Sequence, residues 1–585
     1  MKKKYKAKVM MEVLGSVLVR VVLLTTILVY TPALAQLSSY NSQGLRATTL
    51  EEVLVLPDEE IDLAAAIMIL YKEWDASFDV AESLEEIDRM ALELEVRISP
   101  EDSPEKIVSL INQYLFEENT YSSLDPADPD YMKKLEYSAL PCVIESNRGN
   151  CLGLSLLYLA LAERLSLPIY GVVAPEHIFV RYDDGKRRIN IDPTDKGEEY
   201  EDSRYEKMFM LHSTYRNYNF YLRNLSKREV IGAFLNNLGV AYGGKGMYDE
   251  EIALYKKALE IVPNYAEAHT NLGAAYNEKG MYDEVMAEHK RALEINPNYA
   301  KAHYNLGVAY YEKGMYDKAI AEFKRAIKIN PNHAIAHYNL GVVYHRKGMY
   351  DEEIAEYKKV IEIDPNEAKA HYNLGAAYYE KRMYDEAIAE HKRALDINPN
   401  YAKAHYGLGL AYGEKGMYDE EIAEYKKAIE IDPNEARVHY NLGVAYYEKG
   451  MYDEEIAEYK KAIEVDPNYF EAHYNLGIAY HGKGMYYEAV AEFKKAIKIN
   501  PNYAGAHHSL GVAYGSREMY DEAATEFRKA LEINPDHAEA HYNLAATYYS
   551  RGEHGLAIQH CDRATELGIR VHPEFLEALK PYREK

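Results

Sequence analysis

A leucine recurs every 34 residues along more than half of this chain: Leu238, Leu272, Leu306, Leu340, Leu374, Leu408, Leu442, Leu476, Leu510 and Leu544. A tyrosine follows each leucine four residues later, from Tyr242 to Tyr548. A proline closes nine of the ten units, from Pro263 to Pro535. A unit of this length cannot bury an apolar face alone, so it folds only by stacking on its neighbours. The period therefore predicts ten similar units in a row over 232–571, whatever precedes them.

One unit, residues 300–333, shows the physics. His303, Leu306, Gly307 and Tyr310 fall on one stripe of a first helix. Gly314 ends that helix, because glycine accepts the left-handed conformation. Ala319, Phe323 and Ala326 line a second helix, and Pro331 stops it. The small residues let the two helices approach closely. Residues 572–585 read as a closing helix, with Phe575, Leu576 and Leu579 facing inward.

These units resemble tetratricopeptide (TPR) repeats over 232–571. Two departures recur. The twentieth position, small in the family, is glutamate at Glu251, Glu353, Glu421 and Glu455 and valine at Val285. The fourth, usually a large aromatic, is histidine in nine units, from His269 to His541. Adjacent units lie about 10 Å apart at helix-packing distance, too far for successive histidines to share an ion with Zn–N bonds of about 2 Å. They are read as packed, hydrogen-bonded imidazoles; no metal and no cofactor are expected.

The resemblance implies an α-solenoid whose concave face, lined by first helices, takes protein or peptide ligands. Asparagine recurs at the sixth position, at Asn271, Asn305, Asn339, Asn373, Asn441 and Asn475 among others, and is interrupted by Gly407 and Ser509. Its amide matches the polar groups of a peptide unit. The series is similar to the asparagine ladder of O-linked N-acetylglucosamine transferases, which implies a grip on an extended peptide backbone. The other reading is that these amides tie neighbouring units together. Tyrosines at the fifth position, such as Tyr304, Tyr338 and Tyr406, fit packing and peptide stacking equally.

Residues 36–228 have another texture. Helical spacing of apolar residues covers 59–74, 83–94 and 104–116, and the prolines at 126 and 129 mark 123–131 as a loop. Cys151 then opens an apolar helix running to about Leu165, where the helix dipole favours thiolate. Two β-rich runs follow, 170–182 and 186–192, joined at Asp184-Gly185, a short-hairpin signal. A two-residue loop would set His177 directly across from Asp192, and also Arg181 across from Arg188; a longer loop would shift the pairing. Cys151, His177 and Asp192 stand in the order of thiol hydrolases.

This stretch resembles the transglutaminase-like superfamily, carried by Cys151 ahead of Leu159-Ala160-Leu161-Ala162-Glu163-Arg164, then Leu167-Pro168, His177 with Val180, and Asp192-Pro193-Thr194. The resemblance implies an α+β domain with Cys151 as nucleophile, His177 as general base and Asp192 as its orienter. It also implies attack on an amide carbonyl, with the Cys151 N–H facing the oxyanion and Asn147 and Asn150 as candidates for a side-chain donor. Cys142 is near enough in sequence to bridge Cys151 and silence it. Cys561 reads as a small packed hydrophobe.

The formal net charge is −26. The first 35 residues are basic, with five lysines and Arg20 against Glu12, so the remainder is more acidic still. That charge repels nucleic acid, and no basic patch offsets it. Residues 1–35 read as a secretory signal peptide: a basic segment, an apolar run over 21–30 too short to span a bilayer, and Ala33-Leu34-Ala35 before the cleavage point. The expectation is an exported, periplasmic or extracellular, mostly α protein with no stable membrane insertion after cleavage; the alternative is an uncleaved anchor.

Overall fold

The computed structural model describes residues 49–74, 78–124, 137–175, 177–208 and 221–583. The expected signal peptide at 1–35 and most of the expected loop at 123–131 lie outside the described residues. The chain forms two compact units, 1–331 and 332–585.

In the first unit, helices α1 (Leu50–Leu54), α2 (Leu63–Trp74), α3 (Val80–Glu95) and α4 (Pro104–Asn112) precede a short helix α5 (Leu140–Ser146) and the central helix α6 (Cys151–Arg164). Every residue of α6 from Leu152 to Ala162 is buried, because the helix is apolar all round rather than on one stripe. A four-stranded antiparallel sheet packs on it, made of β3 (Ile169–Ala174), β4 (His177–Asp183), β5 (Arg188–Asp192) and β6 (Glu198–Glu199) in sequential order. Two short strands, β1 (Ser122–Ser123) and β2 (Arg148–Gly149), pair in parallel ahead of α6. Helix α7 (Asp202–Met208) follows β6.

The sheet corrects two expectations. The β-rich run 170–182 is not one strand, because the chain reverses where Ala174 pairs with His177. The β4–β5 hairpin closes through residues 184–187, not through a two-residue turn. Asp184 accepts the Lys186 and Arg187 N–H groups at 2.8 and 2.7 Å, an Asx-type turn that holds the longer loop. Val180 therefore pairs with Ile191, and Arg181 with Asn190 rather than Arg188. The two-residue shift keeps every side chain on its expected face.

The first three repeats complete this unit as helix pairs α8 (Lys227–Gly244)/α9 (Tyr248–Ile261), α10 (Ala266–Glu278)/α11 (Tyr282–Ile295) and α12 (Ala300–Glu312)/α13 (Tyr316–Ile329). Ser226 and Glu229 form a reciprocal capping box at the start of α8. One apolar core runs from α2, α3 and α6 through Phe234 and Leu238 of α8 to Val262 and Tyr265. The N-terminal domain and the first repeat thus share a core.

The second unit stacks seven further helix pairs, from Ala334–Arg346 to His554–Glu566, and ends on Pro573–Arg583. In six of these pairs a first-helix glycine admits a ring of the second helix, and the last pair has Ala545 in its place: a Cβ on Gly443 would meet the Tyr459 ring at 2.6 Å. Between the two helices the left-handed position falls to glycine, as at Gly450, but Arg382 and Glu518 occupy it with φ of 59° and 58°, a conformation costly for a side chain. In the closing helix Leu579 is fully buried and Phe575 packs partly, while Leu576 is 40% exposed, against the expectation that all three face inward. Cys561 is fully buried, as expected.

Candidate active site

Cys151 is the first residue of α6. Asn150 caps that helix by accepting the Gly153 N–H at 3.0 Å. The helix start is clamped from outside: a Cβ at Gly153 would lie 2.2 Å from the Tyr137 carbonyl oxygen. The half-buried thiol therefore sits on a rigid, positive helix end.

His177 opens β4 and Asp192 ends β5. The His177 Nε2 lies 2.9 Å from Asp192 Oδ2. The other ring nitrogen is left for Cys151, whose thiol hydrogen-bonds to this imidazole. Burial opposes charge on both groups, but the opposite charge beside each wins. The His177 pKa is pushed up to about 10 through Asp192 and Cys151, against its burial. Burial alone would raise the Cys151 thiol, yet His177 and the Ile178 backbone N–H hold it below its usual range. The favoured pair is thiolate and imidazolium.

Asp192 is 6% exposed and fully engaged. Its Oδ1 accepts the Thr194 N–H at 3.1 Å and the Thr194 hydroxyl at 2.6 Å. Its Oδ2 accepts from Tyr205 at 3.2 Å as well as facing His177. Burial raises the carboxyl, and the His177 and Thr194 hydrogen bonds bring it below its usual value. Tyr205, on α7, was not foreseen from the sequence. Its ring stacks on Phe179 with centroids 4.0 Å apart, and nothing in its local pattern marks it.

The other candidates fall elsewhere. Asn150 spends its amide on Ser138 Oγ at 2.5 Å, and Asn147 donates to the Asn119 carbonyl at 3.0 Å. No disulfide joins Cys142 and Cys151; Cys142 Sγ lies 3.3 Å from the Tyr71 hydroxyl. The bridge considered from sequence does not form. Among the described residues no cluster of three or more His, Cys, Asp or Glu side chains is fit to hold a metal, and no helix is long and apolar enough to cross a membrane.

In the repeats, the sixth-position asparagines reach back 35 residues to the fifth residue of the preceding unit. Asn271 donates to Asn236 Oδ1 at 3.1 Å. Asn373, Asn441 and Asn475 donate to the hydroxyls of Tyr338, Tyr406 and Tyr440 at 2.9, 2.8 and 3.0 Å. Asn305 and Asn339 are half-buried on their first helices. The fourth-position histidines are indeed packed and bonded. His439, for example, places Nδ1 2.7 Å from Glu458 Oε2 and Nε2 3.3 Å from the Pro433 carbonyl.

A profile of the transglutaminase-like superfamily matches residues 81–236. TPR-repeat profiles match 239–280, 273–314, 309–348, 346–381, 383–416, 413–450, 445–484, 470–503 and 516–552. A curated relative named UPF0162 protein, from Xylella fastidiosa strain 9a5c, is 27% identical over 168 residues, which are 28% of this chain and 58% of the relative. Its counterpart from strain Temecula1 matches to the same extent. The chain thus spans less than two thirds of the length of these curated relatives. Among solved structures, a crystal structure of MamA shares 35% identity, with 28% of this chain and 95% of that one covered at a TM-score of 0.27. YrrB, described as a TPR protein with an unusual peptide-binding site, shares 27% identity, covering 32% of this chain and 95% of that one at a TM-score of 0.30. This chain is a tetratricopeptide repeat protein that carries a transglutaminase-like domain ahead of its repeats.

Proposed function

We propose that the chain is an exported, thiol-dependent amide hydrolase or acyltransferase whose repeat array binds polypeptide. The observation that carries the catalytic part is the hydrogen-bonded line from Cys151 through His177 to Asp192 at the start of α6. The Cys151 thiolate attacks an amide carbonyl and a carbon–sulfur bond forms. The carbon–nitrogen bond then breaks as His177 gives its proton to the leaving amine. Water or an amine, deprotonated by His177, attacks the thioester and releases Cys151. Asp192 fixes the ring throughout, with Thr194 and Tyr205 fixing Asp192. The Cys151 backbone N–H is the oxyanion donor supported by its place at the helix end.

Binding of polypeptide is supported by the repeat family and by the rows of asparagine and tyrosine on the first helices. The amide–phenol bonds between units give those rows a structural duty as well, so the grip would come from the edges they leave exposed. Export is supported by the pattern of residues 1–35.

Iodoacetamide at neutral pH should label Cys151 much faster than Cys561, and His177→Ala should slow it. Equal, slow labelling of both would leave a pure TPR adaptor with an inert domain. Loss of peptide capture in Asn305→Ala/Asn339→Ala/Asn373→Ala, with the array still folded, is the expected result for the ladder; unchanged capture would remove it. Mass spectrometry of the mature N-terminus tests export: a chain starting at Gln36 is expected, and one starting at Met1 points to the anchor.

A further inference from the structure

A groove of about 780 Å³ is lined by α11 and α13, the second helices of the second and third repeats, and by α12 between them. Leu293 and Ile329 contribute half-buried apolar side chains from the two second helices. Leu306 and Tyr310 of α12, both buried, form the floor. Lys290, Arg325 and Lys328 also line it, and all three are exposed.

Two carboxylates share the groove. Glu322 lies 2.6 Å from His303 Nδ1 and accepts from Arg325 Nη1 at 2.7 Å, so it is taken up within its own repeat. Glu294 is the other. The Lys290 ammonium stands 5.9 Å from the centroid of the Tyr310 ring. Neither Lys290 nor Lys328 has an ion-pair partner among the described residues.

These cations are not a general property of the array. The twenty-ninth position of the repeat is acidic in eight units, as at Glu260, Glu362 and Glu430, and is lysine only at Lys328 and Lys498. Lys359, the counterpart of Arg325 in the fourth repeat, has such an acid beside it and donates to Glu362 at 2.5 Å. In the third repeat Arg325 and Lys328 sit one turn apart on one side of α13, with no acid to answer the second. On a chain of net charge −26, this cluster is a local site for anions.

The volume is that of a small-ligand pocket, about 300–1,000 Å³, but the cations stand on two helices. A single carboxylate leaves some of them unanswered, whereas several carboxylates along one ligand answer all three. The apolar side chains among them call for an aliphatic group on the same ligand. We propose that this groove binds an acidic segment of a partner polypeptide, with carboxylates on Lys290, Arg325 and Lys328 and an aliphatic side chain between Leu293 and Ile329. The site is on second helices, apart from the asparagine row of the first helices, and it involves no thiol chemistry.

The test titrates the full chain with a capped peptide of alternating glutamate and leucine, read by calorimetry and by hydrogen exchange of α11 and α13. Saturable binding that protects both helices and weakens with added salt is expected. Lys328→Glu gives that position the acid common in the other units, so the fold is kept, and it should weaken binding about tenfold. Lys498→Glu should leave the protection of α11 and α13 unchanged. A peptide of alternating glutamate and serine should bind about tenfold more weakly, for want of the aliphatic contact. An affinity that changes less than about twofold in Lys328→Glu overturns the proposal. So does protection of the same helices by a peptide of alternating lysine and leucine. Octanoate binding there as tightly as the acidic peptide would replace the polypeptide with a simple alkyl carboxylate.

Discussion

His177 and Asp192 meet at 2.9 Å although they are not cross-strand partners. Val180 pairs with Ile191, so the next step of the ladder brings Asp192 beside Phe179 and leaves His177 as its diagonal neighbour. Diagonal Cβ atoms sit about 7–8 Å apart, which suits a long imidazole reaching a short carboxylate.

The first prediction concerns pH. Cys151 is held below its usual range and His177 above, up to about 10. The thiolate–imidazolium pair exists only between those two titrations. Below the lower one the sulfur is protonated; above about 10 the ring loses its proton and cannot protonate a leaving amine. Amide turnover should therefore fall on both sides, with the alkaline limb near pH 10. Asp192→Asn removes a partner that holds the ring charged, so the alkaline limb should move to lower pH, and one unit is worth about 1.4 kcal/mol. An alkaline limb that stays in place would separate Asp192 from the ring.

A second prediction follows from Cys142. Its Sγ lies 3.3 Å from the Tyr71 hydroxyl, and it forms no disulfide with Cys151. Cys142→Ser should leave Cys151 alkylation within about twofold of the parent, under air as well as under reductant. Strong activation of Cys151 by reductant that disappears in Cys142→Ser would show a bridge after all.

The repeat helices were readable from the sequence because period and burial coincide: Leu306, Gly307 and Tyr310 are buried where the 34-residue pattern placed them. The Cys/His/Asp order was readable for a similar reason, since a cysteine opening an apolar helix and two strands fix three points. The hairpin register was not, because Asp184 can close either a two-residue or a four-residue loop, and only the Asp184 side-chain bonds select the longer one. Tyr205 was not readable either; its contact with Asp192 depends on where α7 lies. The glutamate partners of the histidines could have been found. Glu322, Glu390, Glu424 and Glu458 recur 19 residues after His303, His371, His405 and His439, a constant offset on facing helices.

The glutamates that replace a small residue at the twentieth position carry a third prediction. Glu353, Glu421 and Glu455 are 2%, 7% and 3% exposed. Burial raises each to about 7, with His345 partly offsetting it at Glu353 and Tyr425 at Glu421. A carboxyl whose folded pKa exceeds its unfolded value binds more protons when folded, so stability declines as pH rises from about 4.5 to 7. Glu455 has a buried oxygen with no hydrogen-bond partner. Glu455→Gln should raise the melting temperature at pH 8 and have little effect at pH 5, with a gain on the order of 2 kcal/mol. Equal effects at both pH values would show that Glu455 titrates normally.

The histidines carry the last prediction. In His439 both ring nitrogens face acceptors, the Glu458 carboxylate at 2.7 Å and the Pro433 carbonyl at 3.3 Å. A carbonyl and a carboxylate can only accept, so the ring is the donor in whichever of these bonds it makes. Lys461 bonds Glu458 as well, at 2.8 Å. Burial pushes Glu458 up, but these two partners hold it below its usual value. The bond from His439 joins the two helices of one repeat, and the bond to Pro433 joins that repeat to the one before it. This device does the work of the aromatic that other TPR repeats use at the same position. Its cost is that neither partner is tolerable alone. His439→Phe leaves Glu458 buried without its main donor, whereas His439→Phe with Glu458→Leu removes the stranded charge. Each single change should therefore destabilise the seventh repeat more than the double change does, with a coupling of about 1.5–3 kcal/mol. Hydrogen exchange of the helix Ala436–Glu448 reads this locally, which a global melt of a stacked array does not. Additive effects in that helix would mean that the imidazole fills space and that its two hydrogen bonds contribute nothing.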